Sequence, residues 1–337
     1  MPKVSIIIVT WNSGGVLPQC LKSLELQTIR DFEVILVDNG SSDNSMEDLP
    51  EKWPALDLQI RKMDQNIGFA AANNLGAYLA KGEWLALLNS DAFPDPGWLE
   101  NLLLAAQREP KFSFFASRQL QARAPHLMDG AGDVYHISGV AWRRYAGFPA
   151  AQFGLESGEV FSACAAAGFY SRQAFLQVGG FDESFFSYHE DVDLGFRLRL
   201  QGFRCLYVPE AVVLHIGSAT LGAQSDFALY HWHRNIIWSF IQNVPLALFV
   251  LALPAHLMAN FIYQLNYTIR GQGGILLKAK RDALRGLPGA LRKRRTIQKS
   301  RTAGNKELSS VMQRGCLQPY LLGYTRRKIN RATQSST

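Results

Sequence analysis

Val4-Ser5-Ile6-Ile7-Ile8-Val9 is an almost unbroken apolar, β-branched run, and it commits the N-terminus to a strand covered on both faces. Strands of that kind belong to parallel sheets, and the following residues supply the rest of one. Val16 to Gln27 carries Val16, Leu17, Cys20, Leu21 and Leu24 at helical spacing. Glu33 to Val37 reads as a second strand, Leu58 to Arg61 as a third and Trp84 to Leu88 as a fourth. Ala70 to Ala80 and the residues from Pro96 onward read as helices. Strand and helix alternate at the spacing of βαβ units, so the expected fold is α/β with a mostly parallel, doubly wound sheet.

In such sheets ligands bind beyond the carboxyl ends of the strands. Polar residues collect there: Thr10-Trp11-Asn12 after the first strand, Asp38 after the second, Asn89-Ser90-Asp91 after the fourth. Singly, each is equally a strand-ending cap or turn; together they predict a nucleotide pocket. A second acidic group, Glu190-Asp191-Val192-Asp193, opens a helical pattern that runs to Gln201. Carboxylates there also complement a helix dipole, a role compatible with catalysis. One carboxylate site at a strand's end and one at a helix's start suit metal-assisted group transfer. The first holds a cation on a polyphosphate, and the second takes a proton from the nucleophile. The sequence therefore predicts an enzyme.

Between these groups, residues 120–160 lack regular pattern and read as a flexible acceptor-side loop or linker. Phe161 to Tyr170 reads as a strand, Gln173 to Val178 as a short helix and Cys205 to Val208 as a short strand. Ala211 to Leu214 leads to His215.

Composition limits the setting. At 337 residues, 47% hydrophobic and 19% charged, the chain is globular and long enough for a substantial core. Cys20, Cys164, Cys205 and Cys316 are far apart with no Cys-x-x-Cys pair, which fits a reducing cytosol. The N-terminus enters its first strand without a signal-peptide pattern, so secretion is not expected. The net charge of +7 is unevenly divided: from Arg270 onward there are 17 Lys/Arg against two Asp/Glu, whereas the preceding residues are net acidic. That basic tail predicts an anionic surface as partner. It lacks interleaved aromatics and any recognisable module, which argues against nucleic acid. Between Arg234 and Arg270 there is no charged residue, and Trp238, Tyr263 and Tyr267 stand near the ends. This favours a membrane surface. The stretch is too short for two spans, and Pro254 is expected to break it near its centre. An interfacial or re-entrant hairpin over 236–269 follows, with body and tail both on the cytoplasmic face of the inner membrane, the protein being peripheral or monotopic.

These segments, in this order, closely resemble glycosyltransferase family 2, and in particular its rhamnosyltransferase-like branch that builds bacterial cell-surface polysaccharides. The resemblance is carried by Ser5 to Asn12, Val37-Asp38-Asn39-Gly40-Ser41, Asn66 to Asn74 and Leu88-Asn89-Ser90-Asp91. It continues through Gly179-Gly180-Phe181-Asp182-Glu183, His189-Glu190-Asp191-Val192-Asp193 and His215. It covers residues 4 to about 235, roughly two thirds of the chain. It implies a GT-A catalytic domain over 1–235, with a nucleotide-sugar half to about 110 and an acceptor half from 111. Membrane-associating helices over 236–269 and a basic tail over 270–337 follow.

The implied activity is inverting, metal-dependent transfer of one sugar to a lipid-linked saccharide acceptor, as in O-antigen and lipopolysaccharide synthesis. The implied donor is dTDP-L-rhamnose, with UDP-galactose, UDP-galactofuranose or another UDP-sugar behind it. A catalytically silent nucleotide-sugar-binding protein is the alternative of another class. By the same resemblance Asp38 reads the pyrimidine base, Thr10, Trp11 and Asn12 stand near it, and Asn66, Gly68 and Asn73 bring amides near the ribose and diphosphate. Asn89-Ser90-Asp91 stands where the family carries Asp-x-Asp, leaving Asp91 with His215 to hold Mg2+ or Mn2+. Asp191 matches the catalytic base with Glu190 beside it, while Gly168, His189 and Asp193 fall on the acceptor side. Gln201-Gly202-Phe203-Arg204-Cys205 is similar to the Gln-x-x-Arg-Trp signature of processive synthases, but one short apolar region favours single-sugar transfer.

Overall fold

β1 (Val4–Thr10) lies at the centre of the nucleotide half, paired in parallel with β2 (Phe32–Asp38) on one side and β4 (Trp84–Asn89) on the other. Ile6, Ile7 and Ile8 are fully buried, as a strand covered on both faces requires. β3 (Leu58–Lys62) extends the sheet beyond β2, again in parallel. The helices α1 (Leu17–Glu25), α2 (Leu49–Lys52) and α3 (Phe69–Leu79) connect these strands. The order β3-β2-β1-β4 is that of a doubly wound half-sheet. This description comes from a computed structural model and covers residues 2–47, 49–217 and 225–315.

Beyond β4 follow β5 (Ala92–Pro94), α4 (Trp98–Arg108), β6 (Phe114–Gln121) and β7 (Ala124–Gly130). Next come β8 (Asp133–Tyr135), β9 (Ala141–Arg143), β10 (Gly158–Val160), β11 (Ala167–Ser171), α5 (Arg172–Gln177), α6 (Glu190–Leu200) and β12 (Cys205–His215). The full path is β10-β12-β6-β11-β4-β1-β2-β3. β11 runs antiparallel between β4 and β6, while β6 and β12 are parallel to each other. The expected mostly parallel sheet thus carries β11 reversed near its middle and the short or peripheral strands β5, β7 and β10 reversed as well.

Helices cover both faces. Leu17, Leu21 and Leu24 of α1 and Trp98 and Leu102 of α4 pack on one side, and Ala77, Phe175, Leu194 and Leu198 of α3, α5 and α6 on the other. Gly76 lets α3 approach closely: a Cβ there would lie 2.5 Å from Cγ2 of Ile7.

Three expectations need correction. Residues 120–160 are not a linker, because β7 extends the edge of β6 and β8 pairs with β9 in a separate ribbon. Several of these strands are only three residues long, too short to show a period. The strand expected from Phe161 begins only at Ala167, whereas Cys205 to His215 is one strand with an irregularity between Val208 and Val212.

The third correction concerns the C-terminal region. α7 (Asp226–Asn243) runs through the expected boundary at 235. α8 (Leu246–Ile269) is a continuous helix of 24 residues with Pro254 inside it, so Pro254 does not make a hairpin. Pro254 lies on the exposed side of the helix, away from the stripe that packs on the body. α9 (Gly273–Arg285), α10 (Leu287–Lys299) and α11 (Asn305–Val311) follow. They form a docked extension rather than a loose tail: Arg294 donates to the carbonyls of Ile241 and Val244 at 2.6 and 2.7 Å, and Gln313 bonds Tyr135 and Ile137 through the backbone. Residues 316–337 of the expected tail, with Cys316, lie outside the described residues.

Candidate active site

A cleft of about 430 Å³ opens at the carboxyl ends of β1 and β4 and is closed on its far side by the start of α6 and by α7. Its nucleotide-half wall includes Trp11, Asn39, Asn66, Asn89, Ser90 and Asp91. Asn39 and Asn66 brace each other: Nδ2 of Asn39 donates to Oδ1 of Asn66 at 2.9 Å, and Oδ1 of Asn39 accepts from the Ile67 amide at 2.8 Å. Oδ1 of Asn66 also accepts from the Gly68 amide at 2.9 Å. Ser90 bonds Ser13 between the ends of β4 and β1 at 3.0 Å.

The opposite wall is a loop held in an unusual conformation. Phe186, Tyr188 and His189 have φ of 65°, 68° and 70°, in the left-handed region that side chains disfavour. Buried Asn235 of α7 clamps this loop, its Nδ2 lying 3.1, 3.0 and 2.7 Å from the carbonyl oxygens of Phe185, Ser187 and Tyr188. The loop delivers Asp191 to the first turn of α6. Its carboxylate accepts from the Ala165 amide at 3.2 Å and from the Val192 amide at 2.8 Å, so both oxygens are aimed. Glu190 beside it is buried with Oε2 unbonded. Burial and the neighbouring Asp191 charge push its carboxyl well above the usual range.

At the floor, His215 ends β12 between two carboxylates. Its Nδ1 lies 2.8 Å from Oδ2 of Asp129, and its Nε2 lies 3.3 Å from Oδ1 of Asp91. Burial disfavours the imidazolium, yet the hydrogen bonds to Asp129 and Asp91 prevail and raise its pKa. Asp129, on β7, is also paired with Arg143 of β9. Burial opposes its ionisation, but Arg143 and His215 hold its carboxyl below the ordinary value. Asp133 stands across β8–β9 from Arg143 and accepts from Ser162 Oγ at 2.9 Å. Burial and the Asp191 charge push its carboxyl well up. Tight nucleotide-side hydrogen bonding, one aimed carboxylate and an Asp–His–Asp line at the floor suit transfer from an activated donor to a hydroxyl.

Comparison with known proteins decides the family. Residues 5–179 match the description of glycosyl transferase family 2. The chain belongs to that family. It is 32% identical over 303 residues to an N-acetylglucosaminyl-diphospho-decaprenol L-rhamnosyltransferase of Mycobacterium tuberculosis, covering 76% of this chain and 92% of the relative. It is also 33% identical over 242 residues to the O-antigen biosynthesis protein RfbC of Myxococcus xanthus, covering 68% of this chain but 18% of that protein. A mannosyltransferase from Pyrobaculum calidifontis, solved with GDP-Man and Mn2+, superposes with a TM-score of 0.55 at 16% identity, covering 92% of this chain and 86% of that one. That likeness speaks for the fold, which is GT-A.

The glycosyltransferase brings Trp11, Asn66, Asn89, Ser90, Asp91, His189, Glu190, Asp191 and His215 to one cleft. Other expected site residues lie behind or away from its walls. Asn12, at φ 49°, accepts from the Ser42 amide at 2.8 Å and braces the turn after β2. Thr10 and Asp38 pair in register at the ends of β1 and β2, both buried, and Asp38 accepts from the Ser41 amide at 3.1 Å. Asn73 is buried inside α3, bonded to the Phe69 carbonyl at 2.9 Å.

Gly68 is not there for a ligand's approach, because Phe186 occupies that space: a Cβ would meet its ring at 2.6 Å. Gly168 sits in mid-strand, paired with Leu87 and Ala116. Asp193 is fully buried, bonded to Arg197 Nε at 2.8 Å and Asn243 Nδ2 at 2.7 Å, and joins α6 to α7. Sequence reasoning missed Asn39, Asp129, Asp133, Arg143 and the α7 residues Phe227 and Trp232. Asn39 was visible as the neighbour of Asp38; Asp133 and Arg143 come from three-residue strands, Asp129 from a stretch read as a loop or linker, and Phe227 and Trp232 from the end of the catalytic domain, where no element was expected.

Proposed function

We propose that this transferase moves L-rhamnose from dTDP-L-rhamnose, with inversion, to a lipid-linked saccharide at the cytoplasmic face of the plasma membrane. The observation that carries the reading is Asp191, an exposed-side carboxylate whose two oxygens are both fixed by backbone amides in a cleft shared with the nucleotide half. The rhamnosyltransferase relative, which matches along nearly its whole length, supports the sugar and the acceptor class.

In this reading Asp191 takes the proton of the acceptor hydroxyl as its oxygen attacks the anomeric carbon. The new carbon–oxygen bond forms on the face opposite the donor diphosphate, and the old one breaks with its electron pair leaving on the diphosphate. The donor set at the floor fits a divalent cation: buried Nε2 of His215 and Oδ1 of Asp91 lie 3.3 Å apart, and Asp129 holds the opposite ring nitrogen. Mg2+ or Mn2+ held by Asp91 and His215 supplies positive charge against the diphosphate. Among the described residues no group of three or more His, Cys, Asp or Glu gathers for a metal, so Asp91 and His215 would be the side chains that hold the ion.

α8 supports the membrane setting. Ala252, His256 and Ala259 pack inward, with His256 stacked on Phe240 at 4.0 Å and bonded to the Ser138 carbonyl at 2.8 Å. Leu246, Val250, Leu251, Leu257, Met258, Phe261, Leu265 and Ile269 are exposed along the opposite arc. A helix docked by one stripe along the body lies in the interface rather than crossing it, and each large side chain it immerses contributes roughly 1.5–3 kcal/mol. Arg270, Lys278, Arg281 and Arg285 follow on the polar side, where anionic headgroups lie.

A panel of dTDP-, UDP- and GDP-sugars with Mn2+ or Mg2+ tests the activity through thermal stabilisation and nucleoside diphosphate release. Cation-dependent stabilisation by dTDP-rhamnose is expected. A response to a different donor would replace the sugar, and none at all would refute the reading.

A further inference from the structure

The half of the cleft that bears Asp191 also bears a wall of aromatic rings, set apart from the nucleotide-half residues Asn39, Asn66 and Asn89. Tyr188 and Phe227 line it with ring centroids 6.2 Å apart, and Trp232 lines it one turn further along α7. His231 fixes this wall from behind, 4.4 Å from Phe227 and stacked on Phe186 at 5.5 Å. Burial and the nearby Arg234 push His231 down to about 4, so the backing is neutral at physiological pH. The guanidinium of Arg234 lies over Tyr230 and Trp238 instead, and no cation covers the three lining rings among the described residues. Half-exposed aromatic faces in a polar cleft suit the apolar C–H face of a hexose, whose hydroxyls then reach neighbouring carboxyl groups.

The wall also has a direction. Trp232 stands edge-on to Tyr263 of α8 at 5.5 Å. Tyr263 belongs to the docked stripe of α8, and the exposed apolar arc lies on the helix's other side. The aromatic chain therefore leads from beside the aimed carboxylate to within one helix diameter, about 10–12 Å, of the apolar face.

We propose that Tyr188, Phe227 and Trp232 are the acceptor subsite. They stack the sugar that receives the transfer, and the lipid carrier's chain leaves the cleft past Trp232, over α8, into the leaflet that covers α8. This deepens, and rests on, the lipid-linked acceptor reading above.

The test uses the full chain and two acceptors bearing one sugar diphosphate, on a long alkyl chain and on a methyl group. Trp232→Ala and Phe227→Ala are each expected to raise the acceptor KM about tenfold, the loss of one good aromatic contact. Donor KM should stay within about twofold, and Trp232→Phe should recover most of the loss. A raised donor KM with an unchanged acceptor KM would overturn the subsite. A wild type that uses both acceptors equally well overturns the lipid path and the lipid-linked reading, while the acceptor KM of the variants still judges the stacking. Ligand-detected NMR of the methyl acceptor gives a readout without turnover. Broadening of the sugar-ring protons by wild type but not by Trp232→Ala supports the subsite; equal broadening, or none by either protein, refutes it.

Discussion

Asn235→Ala probes whether the conformation of the catalytic loop is imposed from α7. The Asn235 side chain is wholly buried, and its two Nδ2 hydrogens serve three carbonyl oxygens, those of Phe185, Ser187 and Tyr188. Removing it forfeits two or three hydrogen bonds of about 0.5–1.5 kcal/mol each and leaves buried carbonyls unsatisfied, so a loss of about 2–4 kcal/mol is expected. The loop holds three side-chain-bearing residues at positive φ, each costing about 1–3 kcal/mol. Without its clamp it relaxes rather than staying in place. Asp191 follows His189 by two residues and moves with it. Thermal unfolding should fall by roughly 4–16 °C, given about 2–4 °C per kcal/mol for a domain of this order. In parallel, kcat should drop by more than about tenfold while nucleotide affinity, set on the other wall, stays within about twofold. Circular dichroism melts, initial rates and nucleotide titration supply the three numbers. A variant with lowered melting temperature but wild-type kcat would show that the clamp stabilises without positioning. A variant unchanged in both would refute the reasoning outright.

Four further outcomes are expected. Asp191→Asn should lower kcat by about 10²–10⁴-fold with donor binding retained, the range for loss of a general base; undiminished turnover in initial-rate assays removes it from that role. Asp129→Asn should weaken the Mn2+-dependent part of donor binding about 10–100-fold by releasing His215, and equal calorimetric titrations of the two proteins would contradict this. Leu251→Asp with Phe261→Asp should release the protein from anionic vesicles in a flotation assay; continued flotation would put the membrane contact elsewhere. Lys293 of α10 bonds Asp182 and, against burial, holds its carboxyl below the usual range. That pair stabilises the fold above the unfolded carboxylate pKa of about 4 and is lost as pH falls through the lower folded value. Lys293→Met should therefore lose stability at neutral pH but show a flatter decline in melting temperature below about pH 4, and parallel curves would sink the assignment.

The nucleotide half was legible because its signals are local. Ile6 to Ile8 could only be a covered strand, the helical spacing of Leu17, Leu21 and Leu24 is what packs on it, and polar residues at strand ends face the crevice by topology. The acceptor half was not, because its residues meet through pairings invisible along the chain. Asp129 reaches His215 only because β6 has β7 on one side and β12 on the other. Arg143 reaches Asp129 across a ribbon of three-residue strands. Gly68 shows the opposite failure: its glycine was recognised, but a glycine signal says that something comes close without saying what. Pro254 misled for a related reason, since a proline can stay inside a long helix for the loss of one backbone hydrogen bond and a kink, and the residue alone does not say whether the helix ends.

The contact between Gly68 and Phe186 has one more consequence. It is the place where the two walls of the cleft touch, for the Gly68 amide is held by Asn66 while the Ala70 amide donates to the Phe186 carbonyl at 3.2 Å. Force applied at the nucleotide wall is therefore transmitted to the loop that leads to Asp191 without passing through the sheet. Any donor that tightens the Asn39–Asn66 brace also biases the Phe186 segment, and by thermodynamic reciprocity an acceptor that settles that segment must tighten the donor by the same factor. The coupling between the two substrates would thus run through a single close contact that a methyl group at position 68 would pry apart.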